Sequence, residues 1–317
     1  MRFSIEAWAP EYGAPLEGEP QESPENAIDV AVEQPAARWA PVRPRAPEAR
    51  TVLFTDGVRR VDARVWIDGP GSTSDTSRPG ICASYAAGAV LADGRARIVQ
   101  TQVQRGLFTA APGAGAIACR HAAYPVRAAA GDGTEQLSLA LQQRMGELEI
   151  GLAAACPADI VVVDGPLRGR TSIPCAVGLV KTHRVAYLPD SLAGVIGALG
   201  PGERTPLFLV TGSWSRFSCY LRLPGATGHS WAGVVRLEAT ADADVGTVVR
   251  LADTAAATLP RFASALHKDP RAPQNLYPIS GLERELKRRL GDASLLYREL
   301  RLAACANPQG LRPSVPT

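Results

Sequence analysis

The segment "DIVVVDGPL", residues 159–167, constrains the fold more than any other part of the chain. Ile160, Val161, Val162 and Val163 follow one another with no polar alternation, so a strand built from them is buried on both faces. Such a strand belongs inside a sheet covered above and below by helices. The segment just before it supplies one cover. In "TEQLSLALQQRMGELEIGLAAA" (134–155), Leu137, Leu141, Met145, Leu148 and Leu152 recur every three or four residues and predict a helix with one apolar stripe.

Strand patterns at 51–56, 61–68, 81–91 and 97–104 precede that helix. After the buried strand come "AVGLVKTHRVAYL" (176–188), "PLFLV" (206–210) and the pair "SRFSCYLRL" and "WAGVVRLEA". Helices are expected at 244–266 and 281–292. Antiparallel strands followed by a helical crossover to a central strand predict an α/β fold: a ribonuclease H-like mixed sheet flanked by helices. "RFSIEAW" near the start reads as a short strand, and residues 13–50, rich in Pro, Glu and Ala, as a linker or loosely held arm. The division expected is therefore an N-terminal strand and arm (1–50), a core domain (51–293), and a C-terminal helix end and tail (294–317). "DGPGSTSDTSRPG" (68–80) is a loop without the lysine that a phosphate-binding P-loop requires.

Composition narrows the function. With 46% hydrophobic and 21% charged residues the chain can form a real core. A net charge of +3 over 317 residues leaves only a local patch for nucleic acid. None of the six cysteines forms a C-x-x-C pair, which argues against a zinc knuckle or redox dithiol and for free thiols in a reducing cytoplasm. The N-terminus lacks a basic region followed by an apolar stretch, and no apolar run approaches the ~20 residues that span a bilayer. A cytoplasmic protein with no membrane partner is expected.

The opening of the core, "VLFTDGVRRV" (52–61), repeats the pattern of the buried strand: an apolar run that ends on Asp-Gly. Each Asp-Gly taken alone can be a hairpin turn. If the two strands are central neighbours, Asp56 and Asp164 project at one sheet edge, where crowded carboxylates repel unless a cation or proton sits between them. Hard divalent ions take such oxygen ligands. A third ligand would come from the preceding helix, as Glu147 or Glu149. Both can equally be solvated helix charges. Phase favours Glu149, while reach favours Glu147, since a strand rises about 3.3 Å per residue and a helix about 1.5 Å.

Asp-Gly on a first strand, the helix glutamate, "VDGPL", "VGLVKTH" and the terminal "DPRAPQNLYPISGLERELKRRLGD" together resemble the NurA nuclease family, over about residues 50–293. The resemblance implies a ribonuclease H-like core, a ring-like homodimer, Mn²⁺ (or Mg²⁺), and cutting of DNA ends in company with the hexameric HerA translocase. By position it makes Asp56, Glu149 (or Glu147) and Asp164 the metal-binding acids, matches Lys181 to the family's strand lysine, and Tyr277 to the tyrosine near its C-terminal catalytic block. The chain departs from the archaeal pattern after that tyrosine, where Glu283 and Glu285 stand in place of a histidine.

Other candidates have plainer alternatives. Lys181 is either a strand-end surface lysine or a compact charge for phosphate. Arg59, Arg60, Arg168 and Arg170 are either ordinary surface charge or a grip on the DNA backbone. Arg284, Lys287, Arg288 and Arg289 belong to a basic amphipathic helix that can line a DNA channel, and His183 and His267 read as packing or surface residues. The expectation is a metal-dependent DNA nuclease. Its rivals are a catalytically silent clamp that guides DNA for a motor, and an interaction module whose Asp-Gly pairs are turns.

Overall fold

The apolar runs assemble into one ten-stranded mixed sheet, seen in a computed structural model that describes residues 27–68, 77–183, 185–226 and 228–306. The strands are β1 (Ala27–Asp29), β2 (Val52–Ile67), β3 (Arg78–Ala92), β4 (Ala96–Thr109), the small hairpin β5 (Ile117–Ala118) and β6 (Ala123–Tyr124), β7 (Val126–Ala128), β8 (Ile160–Asp164), β9 (Ala176–Val180), β10 (Phe208–Thr211), β11 (Arg216–Arg222) and β12 (Val234–Thr240). The helices are α1 (Thr134–Ala154), α2 (Asp190–Ala198), α3 (Val245–Thr258), α4 (Tyr277–Arg289) and α5 (Ala293–Ala306). The sheet order is β1-β10-β11-β12-β9-β8-β2-β3-β4-β7. β2 runs parallel to β8, and β8 parallel to β9, while β2–β3, β3–β4 and β9–β12 are antiparallel. The α/β expectation holds, with helices on both faces.

Alternation along β2 sorts the two faces. Val52, Phe54 and Val58 pack with Leu282 and Leu286 of α4 and with Val248 and Ala252 of α3. Leu53 turns the other way, toward Ala153 of α1 and Val161 and Val163 of β8. Further along, Leu137, Leu141 and Met145 of α1 cover Ile81, Tyr85 and Phe108. β8 lies between these covers, and its Ile160–Val163 run is fully buried, as its lack of alternation requires.

Several expectations are corrected. Asp56-Gly57 is neither a turn nor a strand end: the predicted strands 51–56 and 61–68 are one 16-residue strand. β3 pairs with it along its whole length, from Val52↔Ala92 to Ile67↔Arg78, and the extra residue is absorbed as a register shift between Val61 and Ala63. Long antiparallel pairing overrides the local turn propensity.

The Pro-rich arm, in its described part, is docked on the core. β1 adds antiparallel to β10, Trp39 is buried against Phe208, and Glu33 grips the fully buried Arg204 through Nη1 and Nη2 at 2.8 and 2.9 Å. Arg204 Nε also donates to Asp253 at 2.8 Å, so a composition that looks unable to fold is held by charge pairing at a desolvated site. The strand expected within residues 1–12 and most of the 68–80 loop lie outside the described residues.

The C-terminal region is a full helix rather than a helix end. Asp292 caps α5 by accepting from the Leu295 backbone N–H at 2.7 Å. α4 begins four residues before the expected 281, with Pro278 in its first turn, and the predicted 244–266 helix ends in a 3₁₀ turn at Leu259–Phe262 that contains Pro260. The 176–188 strand stops at Val180, and α2 was not expected. Among the described residues no helix is long and apolar enough to cross a membrane.

Candidate active site

Register places the two aspartates side by side. The parallel β2–β8 ladder runs from Val52↔Ile160 to Thr55↔Val163, so the next positions on the two strands are Asp56 and Asp164. There β8 ends. Gly165 takes φ +88°, a conformation that favours glycine, and the chain turns away while its N–H donates to the Leu179 carbonyl at 2.9 Å. Asp56 shares the parity of Phe54 and Val58, and Asp164 that of Ile160 and Val162, so both lie on the α3–α4 face. Opposite Asp56 on β3 is Gly88, where an added Cβ would come within 2.8 Å of Leu282 Cδ1, so α4 packs close against this point.

Asp56 is buried, and its Oδ1 accepts from the Gly57 N–H at 2.8 Å. Burial pushes its pKa well above the usual carboxylate range, and the Asp164 carboxylate pushes further in the same direction. Lys181 opposes this, while Glu149 and Glu283 add to it. These five groups therefore share one electrostatic neighbourhood.

The helix glutamates separate clearly. Glu147 is exposed and pairs with Arg144 at 2.8 Å, one turn away. Glu149 is only 2% exposed and forms an ion pair with the buried Arg170. Leu137, Leu141, Met145 and Glu149 fall at strict four-residue spacing, so the acid occupies the next place in the buried stripe. Its Oε1 lies over Gly57, where any Cβ would collide with it and with Met145. Burial raises the Glu149 pKa, and Arg170 and Arg59 pull it back down.

Lys181 follows directly on β9. Its Nζ reaches Asp164 Oδ1 at 2.6 Å and donates to Asn275 Oδ1 at 2.8 Å. Asn275 Nδ2 donates to Asp269 Oδ2 at 2.7 Å, and Arg271 binds Asp269 and, at 2.6 Å, Glu283. Burial alone would raise the Glu283 pKa, but hydrogen bonds from Arg271 and Lys287 outweigh it and hold it below the usual range. Glu283 thus stands near Asp56, whereas Glu285 pairs outward with Arg288 and Arg289.

The remaining candidates disperse. Tyr277, at the start of α4, accepts from the Ala265 N–H at 3.2 Å and lines a neighbouring cavity rather than the aspartate pair. Arg60 is engaged inside the protein, with Nε on Asp62 at 2.8 Å and Nη1 on the Gly291 carbonyl at 2.8 Å, where it ties the end of α4 to β2. Arg170 holds Glu149 and the Pro166 carbonyl. Arg168, Lys287 and Arg288 are exposed, the last two in ion pairs with Glu283 and Glu285. His183 is a packing residue: it stacks near Trp231 and Tyr220, bonds the Val234 carbonyl, and burial lowers its pKa to about 4. His267 is exposed.

Among the described residues no group of three or more His, Cys, Asp or Glu is arranged to hold a metal ion. Asp164 and Glu149 are each held by an internal cation, and both of their charges disfavour ionisation of Asp56. No protein-family profile matches the chain, and no curated protein is similar to it. Sequence reasoning passed over Asn275 and Asp269 as ligating or relay groups; the one signal for them was the "DPRAPQNLYPI" block itself.

Proposed function

We propose that this chain is a metal-dependent deoxyribonuclease with a ribonuclease H-like core, of the NurA kind, which hydrolyses phosphodiesters at DNA ends. The observation that carries the reading is the neighbouring placement of Asp56 and Asp164 on parallel central strands, with the Asp56 carboxyl raised in pKa by burial and then by its partner. The run β4-β3-β2-β8-β9, antiparallel on one side of β2 and parallel on the other, supports the ribonuclease H-like assignment. The donor chemistry fits a hard divalent cation: oxygen ligands, one of them buried and destabilised in its ionised form. Asp56 and Asp164 would hold the ion; Glu149, over Gly57 on the α1 side of β2 and paired with Arg170, would act on the site through its charge rather than as the expected third ligand. Bound Mn²⁺ or Mg²⁺ supplies Lewis-acid stabilisation and an acidified water. Lys181 orients Asp164 and places a compact positive charge beside the position of a phosphate. Arg170 keeps Glu149 turned into the sheet. The resemblance extends the proposal to a cytoplasmic homodimer that works on DNA with a HerA-like hexameric translocase, without a membrane.

The test is cleavage of linear duplex and single-stranded DNA in Mn²⁺. The wild type should cut, and Asp56→Asn and Asp164→Asn should each lose the activity while melting as folded proteins. Full cleavage by both variants would sink the metal-site reading. A second reading, a clamp that holds DNA without cutting, is favoured by the internal pairing of Asp164 with Lys181 and Glu149 with Arg170. It expects DNA binding by a wild type that does not cut in Mn²⁺.

A further inference from the structure

A cavity of about 400 Å³ is lined by Lys268, Asp269, Tyr277, Ser280 and Arg284, and its Asp269 is linked through Asn275 to Lys181. The volume is within the usual size range of small-ligand sites. Tyr277, Ser280 and Arg284 are spaced three and four residues apart on α4, so they share one face of the helix. The turn that carries Lys268 faces them. It is tied to α4 by the Ala265 N–H bond to the Tyr277 hydroxyl at 3.2 Å, and Lys268 Nζ sits 5.4 Å from the centre of the Tyr277 ring.

The charges here do not balance. Asp269 is satisfied by Asn275 and Arg271. Glu283 is satisfied by Arg271 and Lys287. Those two acids and two bases cancel. Lys268 makes no ion pair among the described residues, and Arg284 donates only to the neutral Ser280 hydroxyl at 3.0 Å. Two positive charges thus remain on the cavity wall. Lys268 faces the first turn of α4, next to Tyr277, and Arg284 lies two turns further along the same helix face.

We propose that this cavity binds the terminal phosphomonoester of a nucleic-acid strand. A terminal phosphate carries about −1.5 to −2 charge at neutral pH, which matches two uncompensated cations, whereas an internal phosphodiester carries one negative charge. The Ser280 hydroxyl adds a neutral donor. The wall is joined to the acid centre through the hydrogen-bonded series Asp269, Asn275, Lys181 and Asp164. The proposal rests on the reading of the chain as a DNA-processing protein, and it adds recognition of the end to that reading.

The test is fluorescence anisotropy in EDTA, where no cleavage occurs. The probes are one short single-stranded oligonucleotide with a 5′-phosphate, with a 3′-phosphate, and with neither, and inorganic phosphate is the competitor. The wild type should bind one end-phosphorylated form about tenfold more tightly than the unphosphorylated strand, the effect of two charge-assisted contacts. The Lys268→Ala/Arg284→Ala double variant, which changes exposed side chains, should melt as the wild type does and lose that preference while still binding the unphosphorylated strand. Equal binding of all three strands by the wild type, or a preference that survives in the double variant, overturns the proposal. Competition by inorganic phosphate without any end preference overturns the nucleic-acid assignment and leaves a free-anion site. An end preference in a protein that does not cut leaves the pocket standing and removes the nuclease reading, so the two failures are distinct.

Discussion

Gly57→Ala tests how tightly α1 is set against β2 at the candidate site. An ideal Cβ at Gly57 comes within 2.8 Å of Met145 Cγ and 2.9 Å of its Sδ, and closer still to Glu149 Oε1. Both neighbours are side chains, but neither is free to move: Met145 is buried, and Glu149 is buried and bound to Arg170. In open space the substitution would stabilise the protein by about 0.4–1 kcal/mol, through lower entropy of the unfolded chain. An extra methyl in a packed interior costs about 1–3 kcal/mol. The clash therefore wins, and a net loss of about 1–2 kcal/mol is expected, a drop of a few degrees in Tm for a chain of this size. If the methyl instead pushes Glu149 off Arg170, the loss approaches the roughly 3–5 kcal/mol of a broken buried pair. Under the nuclease reading a shift of about 1 Å in Glu149 also lowers cleavage, by as much as 10²-fold. Urea unfolding and Mn²⁺-dependent cleavage measure the two effects. Glu147→Gln is the control and should change stability by less than about 0.5 kcal/mol, because its side chain faces solvent. A neutral or stabilised Gly57→Ala would refute the close approach, and with it the placement of Glu149 over β2.

Two further outcomes follow from the charges. Because burial and Asp164 raise the folded-state pKa of Asp56, the unfolded chain ionises first: the wild type should lose stability as pH climbs from about 4, the ordinary Asp value, to the raised one, by about 1.4 kcal/mol for each pH step between the two. Metal-free Asp56→Asn should match the wild type near pH 3 and exceed it above pH 7, and parallel melting curves across that range would contradict the assigned burial. Deleting residues 1–45 removes Glu33 from the buried Arg204 and should cost about 3–5 kcal/mol. A 46–317 chain that melts with the full-length protein would mean that the docked arm contributes nothing.

The parts of this fold that were legible are those written in local pattern. β8 was readable because four buried residues in a row admit no exposed face, and the Asp56–Asp164 pair because two apolar runs end alike. Glu149 was readable in principle from its place in the series 137, 141, 145, 149, although helix rise alone left Glu147 open. The continuation of β2 through Asp56-Gly57 was hidden, because its cause is β3, a partner that local propensity does not contain. The contact between Lys181 and Asn275 spans 94 residues, and no periodicity marks it. The arm was misread for a physical reason: its Pro and Glu content describes a chain in water, whereas Glu33 and Trp39 are placed by an arginine and a phenylalanine about 170 positions away.

That last separation also bears on how the chain is made. Synthesis runs from the N-terminus, so β1 and Glu33 leave the ribosome long before β10 and Arg204 exist. Until then the arm has nothing to join, and when Arg204 appears it must remain hydrated until both the arm and Asp253 of α3 arrive. One of the first described segments to be synthesised is thus among the last to settle, and in the interval the edge of β10 is open to any other strand. For this protein the dangerous moment lies late in translation, when a nearly finished sheet waits for its own beginning.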